Sequence, residues 1–243
     1  MTETDRLMAE AVRLISGAAR QSMVLRALGS VGVKMHCASA SSELESRGRS
    51  PKDIDLVTRK QDRKAMRSFF EDQGYEADRD MLVAMEGTRY LFRHPSGIDI
   101  DLWVDVLDFC HKHDVRARMG SGPSLPIEDL LLSKLQIVEL TDNDRHDLAV
   151  ILGTHEVGAP GDPEVIDLEY VAGVLATDWG YWRTVTGNLR SIKEGQSADV
   201  MDRIERLEQA IGSHPKSVKW KARSVVGERS QWWSDVDVPR DTY

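Results

Sequence analysis

Two carboxylates stand two positions apart in the run Asp53-Ile54-Asp55-Leu56-Val57-Thr58. Along a β-strand, positions i and i+2 share a face. Asp53 and Asp55 are therefore expected side by side, with Ile54 and Leu56 turned to a core. Adjacent like charges raise a pKa unless a cation neutralises them. Aspartate is also a poor strand former. A strand that puts two on one face points to a hard, oxygen-seeking cation such as Mg2+. The pattern recurs in residues 98–105, Ile-Asp-Ile-Asp-Leu-Trp-Val-Asp. There Asp99, Asp101, Trp103 and Asp105 are expected on one face, with the aliphatic residues on the other. If the two strands are neighbours, a third carboxylate joins the pair. Three carboxylates can hold two metals about 3.5–4 Å apart, the arrangement for in-line displacement at phosphorus. Asp101 lies deeper in the apolar run than Asp99, but strand phase alone leaves both open as the third ligand.

A third feature is Leu28-Gly29-Ser30 at the end of an expected strand. Glycine lets a phosphate approach the backbone, and a serine hydroxyl with the N–H groups of a following helix can hold it. No Walker pattern is present. Arg47, Arg49 and Lys52 precede the Asp pair and are candidates for triphosphate contact.

These residues need elements to position them. Leu7, Met8, Ala11, Leu14, Ile15 and Ala18 mark one face of a helix over residues 4–18. Strands are expected at residues 24–28 and 53–58, and a helix at 60–73 with Met66, Phe69 and Phe70 inward. A hairpin follows, residues 89–93 and 98–104 around the turn His94-Pro95-Ser96-Gly97. Gly120, Gly122, Pro123 and Pro126 make residues 119–126 the best linker. Beyond it the chain reads as helices at 126–140, 144–153, 164–177, 180–193, 198–211 and 214–227. The fold class is α+β: a mixed sheet with flanking helices over residues 1–120, then a helical region over 121–243.

Composition narrows the function classes. The 243 residues carry 32 Lys and Arg against 40 Asp and Glu, a net charge of −8. That disfavours a broad DNA-binding surface, and no sequence-specific DNA binding is expected. Two cysteines make no disulfide framework, so a reducing cytoplasm is the default location. No apolar run approaches the roughly 20 residues that span a bilayer. Cys110, His111 and His113 lack the spacing of a structural zinc site. Lys216, Lys219, Lys221 and Arg223, with Trp220, read as a solvated helix face, with RNA-backbone contact as the alternative. Trp179 and Trp182 read as packing residues.

The pattern of a hydrophobic residue with Gly-Ser, a later Asp-hydrophobic-Asp and a further Asp on a neighbouring strand resembles the DNA polymerase β-like nucleotidyltransferase superfamily. Leu130-Leu131-Leu132-Ser133-Lys134-Leu135-Gln136, then Arg145-His146-Asp147-Leu148, resembles the helical segment of AbiEii-type toxin nucleotidyltransferases. The resemblance covers roughly residues 24–190 and departs in a longer spacer, residues 38–52. It implies that Gly29 and Ser30 meet the nucleotide phosphates. It also implies that Asp53, Asp55 and Asp101 are catalytic metal ligands, with Asp99 the competitor of Asp101. Lys134 would reach the nucleotide and Asp147 would support it; from the residues alone, Lys134 reads as a snorkelling lysine and Asp147 as a helix-start carboxylate.

The function so implied is transfer of an NMP unit from an NTP to an acceptor hydroxyl, with two Mg2+ ions, or Mn2+ in their place. The acceptor would be tRNA or another cellular macromolecule, in a toxin–antitoxin setting with an antitoxin protein as partner. An aminoglycoside-type small-molecule acceptor is the alternative, suited to the acidic net charge. A non-catalytic nucleotide- or partner-binding module is the alternative of another class.

Overall fold

The computed structural model describes residues 2–38, 53–85 and 87–235. The chain divides into two compact units: Met1–Leu107 with Asp114–Leu130, and Asp108–His113 with Leu131–Tyr243. The fold is α+β.

The first unit opens with α1, Glu3–Arg20. Thr2 and Asp5 form a reciprocal capping box at its start, satisfying two otherwise orphan N–H groups. Leu7, Ala11, Leu14, Ile15 and Ala18 are its buried stripe, as the periodicity requires. Next come β1 (Leu25–Ala27), α2 (Gly29–His36), β2 (Asp53–Thr58), α3 (Arg63–Asp72), β3 (Glu76–Ala77), α4 (Arg79–Ala84), β4 (Arg89–Arg93) and β5 (Asp99–Val104). The five strands form one mixed sheet in the order β1-β2-β5-β4-β3. β2 and β5 run parallel and the other pairs antiparallel. Ile54, Leu56, Ile100 and Leu102 turn into a core shared with Leu14, Met66, Phe70 and Phe92. Each such side chain contributes roughly 1.5–3 kcal/mol when removed from water, enough to fix the register of both Asp-bearing strands.

Residues 119–126 are not a loose linker. Ala27 donates to the Pro123 carbonyl at 2.9 Å, Leu125 donates to the Ala27 carbonyl at 2.9 Å, and the Arg26 Nε donates to Gly120 at 2.8 Å. The segment is laid along β1, whose outer edge would otherwise carry unpaired backbone groups. Arg118 then bonds Glu128 and Asp129 in the first turn of α5, Ile127–Leu135.

Val106–Asp108 (β6) and Lys112–Asp114 (β7) are short strands where the chain passes into the second unit and back. That unit holds α6 (Asp142–Thr154), α7 (Leu168–Leu175), α8 (Trp179–Ile192), α9 (Ala198–Ser213) and α10 (Val218–Val226). α9 packs its Val200, Ile204, Leu207 and Ile211 stripe toward α6 and α7. One expected helix, residues 164–177, proves composite. Val165–Asp167 (β9) pairs in parallel with Glu156–Gly158 (β8), and the helix starts only at Leu168. Asp167 decides that start by accepting from the Glu169 and Tyr170 N–H groups. The expected helix at 214–227 begins at Val218, where Ser217 caps it.

Candidate active site

The register of β2 against β5 pairs Asp53 with Asp99 and Asp55 with Asp101. Four carboxylates thus stand in two rows on one face of the sheet. Depth separates them. Asp53 is exposed, Asp55 and Asp99 are half-buried, and Asp101 is buried. Asp105 does not join them. The strand ends at Val104, and Asp105 turns to φ +64°, where its Oδ1 accepts from Lys60 N at 3.0 Å. The alternation expected through residue 105 stops there because the chain turns away.

Asp55 packs against the start of α2. Leu28 N donates to the Asp55 carbonyl at 3.0 Å, and Gly29 has φ +59°. A Cβ on Gly29 would overlap the Asp55 Oδ2 and sit 2.8 Å from its Cγ. Only glycine meets both demands, the left-handed backbone and the close approach. Ser30 follows it in the first turn of α2, half-buried.

Arg89, not foreseen from the sequence, is the cation of this cluster. It faces Trp103 across the β4–β5 ladder and reaches diagonally to Asp101. Its Nη2 lies 2.6 Å from Asp101 Oδ2 and its Nε 2.8 Å from Oδ1, a two-pronged bond that occupies both oxygens. The guanidinium carbon stands 4.5 Å from the Trp103 ring centre. Burial alone would lower the Arg89 pKa. The hydrogen bond and charge of Asp101, with the charges of Asp55 and Asp53, outweigh burial and hold it above the ordinary value. Asp99 is set apart, with Arg93 Nη1 at 3.5 Å on the exposed rim. The sequence signal for Arg89 was the expected hairpin; what it lacked was the register that sets Arg89 opposite Trp103 and diagonal to Asp101.

Among the described residues, no three His, Cys, Asp or Glu side chains are gathered as metal ligands. The chemistry of the donor set still fits one hard cation at Asp53 and Asp55, beside the glycine cradle. Asp101 could join as a ligand through the lone pairs that its bonds to Arg89 do not use.

In the second unit the Lys134 ammonium lies 3.0 Å from Asp144 Oδ1 and 3.0 Å from Asp147 Oδ2. Burial would lower the lysine pKa, but the two carboxylates outweigh it and raise it. Asp144 also completes the capping box of α6 with Thr141, and Asp147 lies one turn further on, 1% exposed. These two ion pairs tie α5 to α6. Arg47, Arg49 and Lys52 lie outside the described residues. Cys110, His111 and His113 are structural: Cys110 Sγ accepts from Val138 N at 3.5 Å, His111 stacks on Tyr181, and His113 meets the Tyr181 ring edge.

No family model and no curated protein matches the chain. Solved structures give remote likenesses. The antibiotic-resistance factor ANT(2'')-Ia is similar over 63% of this chain and 85% of its own, at 10% identity and a TM-score of 0.42. An antigenic nucleotidyltransferase-like protein from Paracoccidioides brasiliensis is similar over 93% and 98%, at 14% identity and 0.43. The Thermotoga maritima CCA-adding enzyme, complexed with tRNA, is similar over 84% of this chain but 54% of its own, at 10% and 0.28. One of the three is described as nucleotidyltransferase-like, and none singles out an AbiEii-type group. With TM-scores below 0.5, they bear no weight on the chemistry.

Proposed function

We propose that this chain is a nucleotidyltransferase that moves an NMP unit from an NTP to an acceptor hydroxyl and releases pyrophosphate. The observation that carries the proposal is the register of Asp53 and Asp55 beside Asp101, with Gly29 opening a helix directly on the Asp55 carboxylate. Asp53 and Asp55 would hold Mg2+. When bound, the metal would neutralise phosphate charge and lower the pKa of the acceptor hydroxyl. The first N–H groups of α2 and the Ser30 hydroxyl would receive phosphate oxygens. Arg89 orients Asp101 through its two-pronged bond, ready to accept a hydrogen bond from the acceptor hydroxyl. The sequence likeness of residues 130–136 and 145–148 favours tRNA or another macromolecule as acceptor, in a toxin–antitoxin pair. The net charge of −8 suits a cationic aminoglycoside as the alternative acceptor.

A second reading has its own support. Both oxygens of Asp101 are taken by Arg89, as suits a module that binds nucleotide without transferring it. One experiment separates the two. The protein is incubated with each α-labelled NTP, Mg2+ and total cellular RNA, protein or an aminoglycoside, and the labelled fraction is identified. Transfer should vanish in Asp53→Asn, Asp55→Asn and Asp101→Asn and persist in Asp99→Asn. Nucleotide binding without label in any acceptor would support the module. Full activity in Asp55→Asn would sink the transferase assignment.

A further inference from the structure

A partly open cleft of about 660 Å3 lies within the second unit. That volume is in the range of small-molecule sites. Its lining includes the indoles of Trp179, Trp232 and Trp233 and the side chains of Lys112, Lys219 and Arg223. The C-terminal segment forms one wall and is held in place by specific bonds. Ser234 N donates to the Cys110 carbonyl at 3.0 Å. Trp232 Nε1 donates to Thr184 Oγ1 at 3.2 Å, the same hydroxyl that faces His111 Nε2 at 2.9 Å. Arg223 Nη1 donates to Gly227 at 2.8 Å and Nη2 to Ser230 at 3.1 Å, which pins the turn leading into the wall. At Gly180 a Cβ would come 2.5 Å from the Trp232 carbonyl, so this glycine lets the wall seat on α8. The space is therefore bounded by fixed walls.

Its chemistry is specific. Trp179 meets Trp232 at 80° and Trp232 meets Trp233 at 77°, so none of these contacts is a parallel stack. Arg223 covers a face of Trp179 and Arg183 stands over Trp232. Trp233, half-buried, has no cation over it among the described residues and can offer its ring to a flat ligand. Of the three cations, Arg223 spends its N–H groups on carbonyls, and Lys112 stands 3.4 Å from Asp108. Lys219 is exposed and has no carboxylate partner among the described residues. Asp178, the one lining carboxylate among the described residues, caps α8 by accepting from Tyr181 N. A cationic, indole-lined cleft in a chain of net charge −8 calls for a ligand that is both aromatic and anionic.

We infer that this cleft binds a nucleoside phosphate, with the base on Trp233 and the phosphate at Lys219. The inference stands on the second unit alone and does not rest on the transferase assignment. The ligand could be a free nucleotide or the end of an RNA strand, which share this chemistry.

The test uses the full chain in the Asp53→Asn/Asp55→Asn background with EDTA, so that the carboxylate site contributes nothing. AMP, adenosine, inorganic phosphate and a six-residue oligoadenylate RNA are titrated while tryptophan fluorescence is followed. AMP should quench and should bind more tightly than adenosine or phosphate. Trp233→Ala should weaken it about tenfold, in line with the loss of one stacked base, and Trp233→Phe should restore most of that. Lys219→Ala should weaken oligoadenylate binding and reduce its salt dependence by about one ion. Tighter binding of the RNA than of AMP identifies a strand end; equal binding identifies a free nucleotide. No quenching by AMP or RNA, equal competition by inorganic phosphate, or unchanged binding in Trp233→Ala and Lys219→Ala would each overturn the inference.

Discussion

Gly29→Ala tests how the carboxylate face is built. Two penalties separate cleanly at this position. The first is conformational: at φ +59° an alanine costs about 1–2 kcal/mol relative to glycine. The second is steric. The new Cβ would stand 2.8 Å from Asp55 Cγ, where ordinary contact begins at 3.4 Å. The carboxylate must therefore retreat by at least 0.6 Å at Cγ and further at Oδ2, on the order of 1 Å, which can cost about 100-fold in rate at a reacting centre. Gly97→Ala is the matched control, because Gly97 has φ +79° and nothing within 4 Å of its Cβ position. Urea unfolding should show both variants destabilised by the backbone term, with Gly29→Ala the worse. Mn2+ binding and label transfer should fall only in Gly29→Ala. In Gly29→Ala/Asp55→Ala the steric part should disappear and leave the conformational part. Wild-type metal binding and transfer in Gly29→Ala would refute the reasoning, because Asp55 would then not need its place against α2.

Two further outcomes follow from the second unit. Lys134→Met should cost about 3–5 kcal/mol in urea unfolding, because Asp147 would stay buried, and Asp144 half-buried, without their cation. Lys193→Met, which breaks an exposed pair with Glu205, should leave the midpoint nearly unmoved. Nucleotide affinity of the folded Lys134→Met protein should match the parent, and a selective loss of affinity would return Lys134 to the nucleotide. His111 is held neutral by burial, with its pKa pushed down to about 4 from 6.5. Below pH 6.5 the unfolded chain takes a proton there that the folded chain refuses. Stability should fall by up to about 1.4 kcal/mol per pH unit from 6.5 down to about 4, then level off. Urea midpoints at pH 7, 6 and 5 should show this slope in the parent and its reduction in His111→Gln; parallel slopes would contradict it.

The sequence by itself determined the strands that carry the four carboxylates. Period-2 alternation around Asp53, Asp55, Asp99 and Asp101 identifies strands with one polar face, since Ile54, Leu56, Ile100 and Leu102 must be buried. Helical periodicity likewise located α1 and α9. Tertiary structure alone decided which cation meets which carboxylate. Arg89 reaches Asp101 because the expected β4–β5 hairpin closes in a register that sets Arg89 opposite Trp103 and Leu91 opposite Asp101, and the sequence reading left that register open. Lys134 had two readings in sequence, and the packing of α5 against α6 gave it to Asp144 and Asp147. The C-terminal cleft was hidden for the same reason. Trp179, Lys219 and Trp233 are scattered along the chain, and only the bonds of Trp232 and Ser234 to Thr184 and Cys110 bring them around one space. Side-chain type and phase are local properties and legible in order along the chain. Charge pairing and cavities depend on distances between elements, which are set only once the cores have closed.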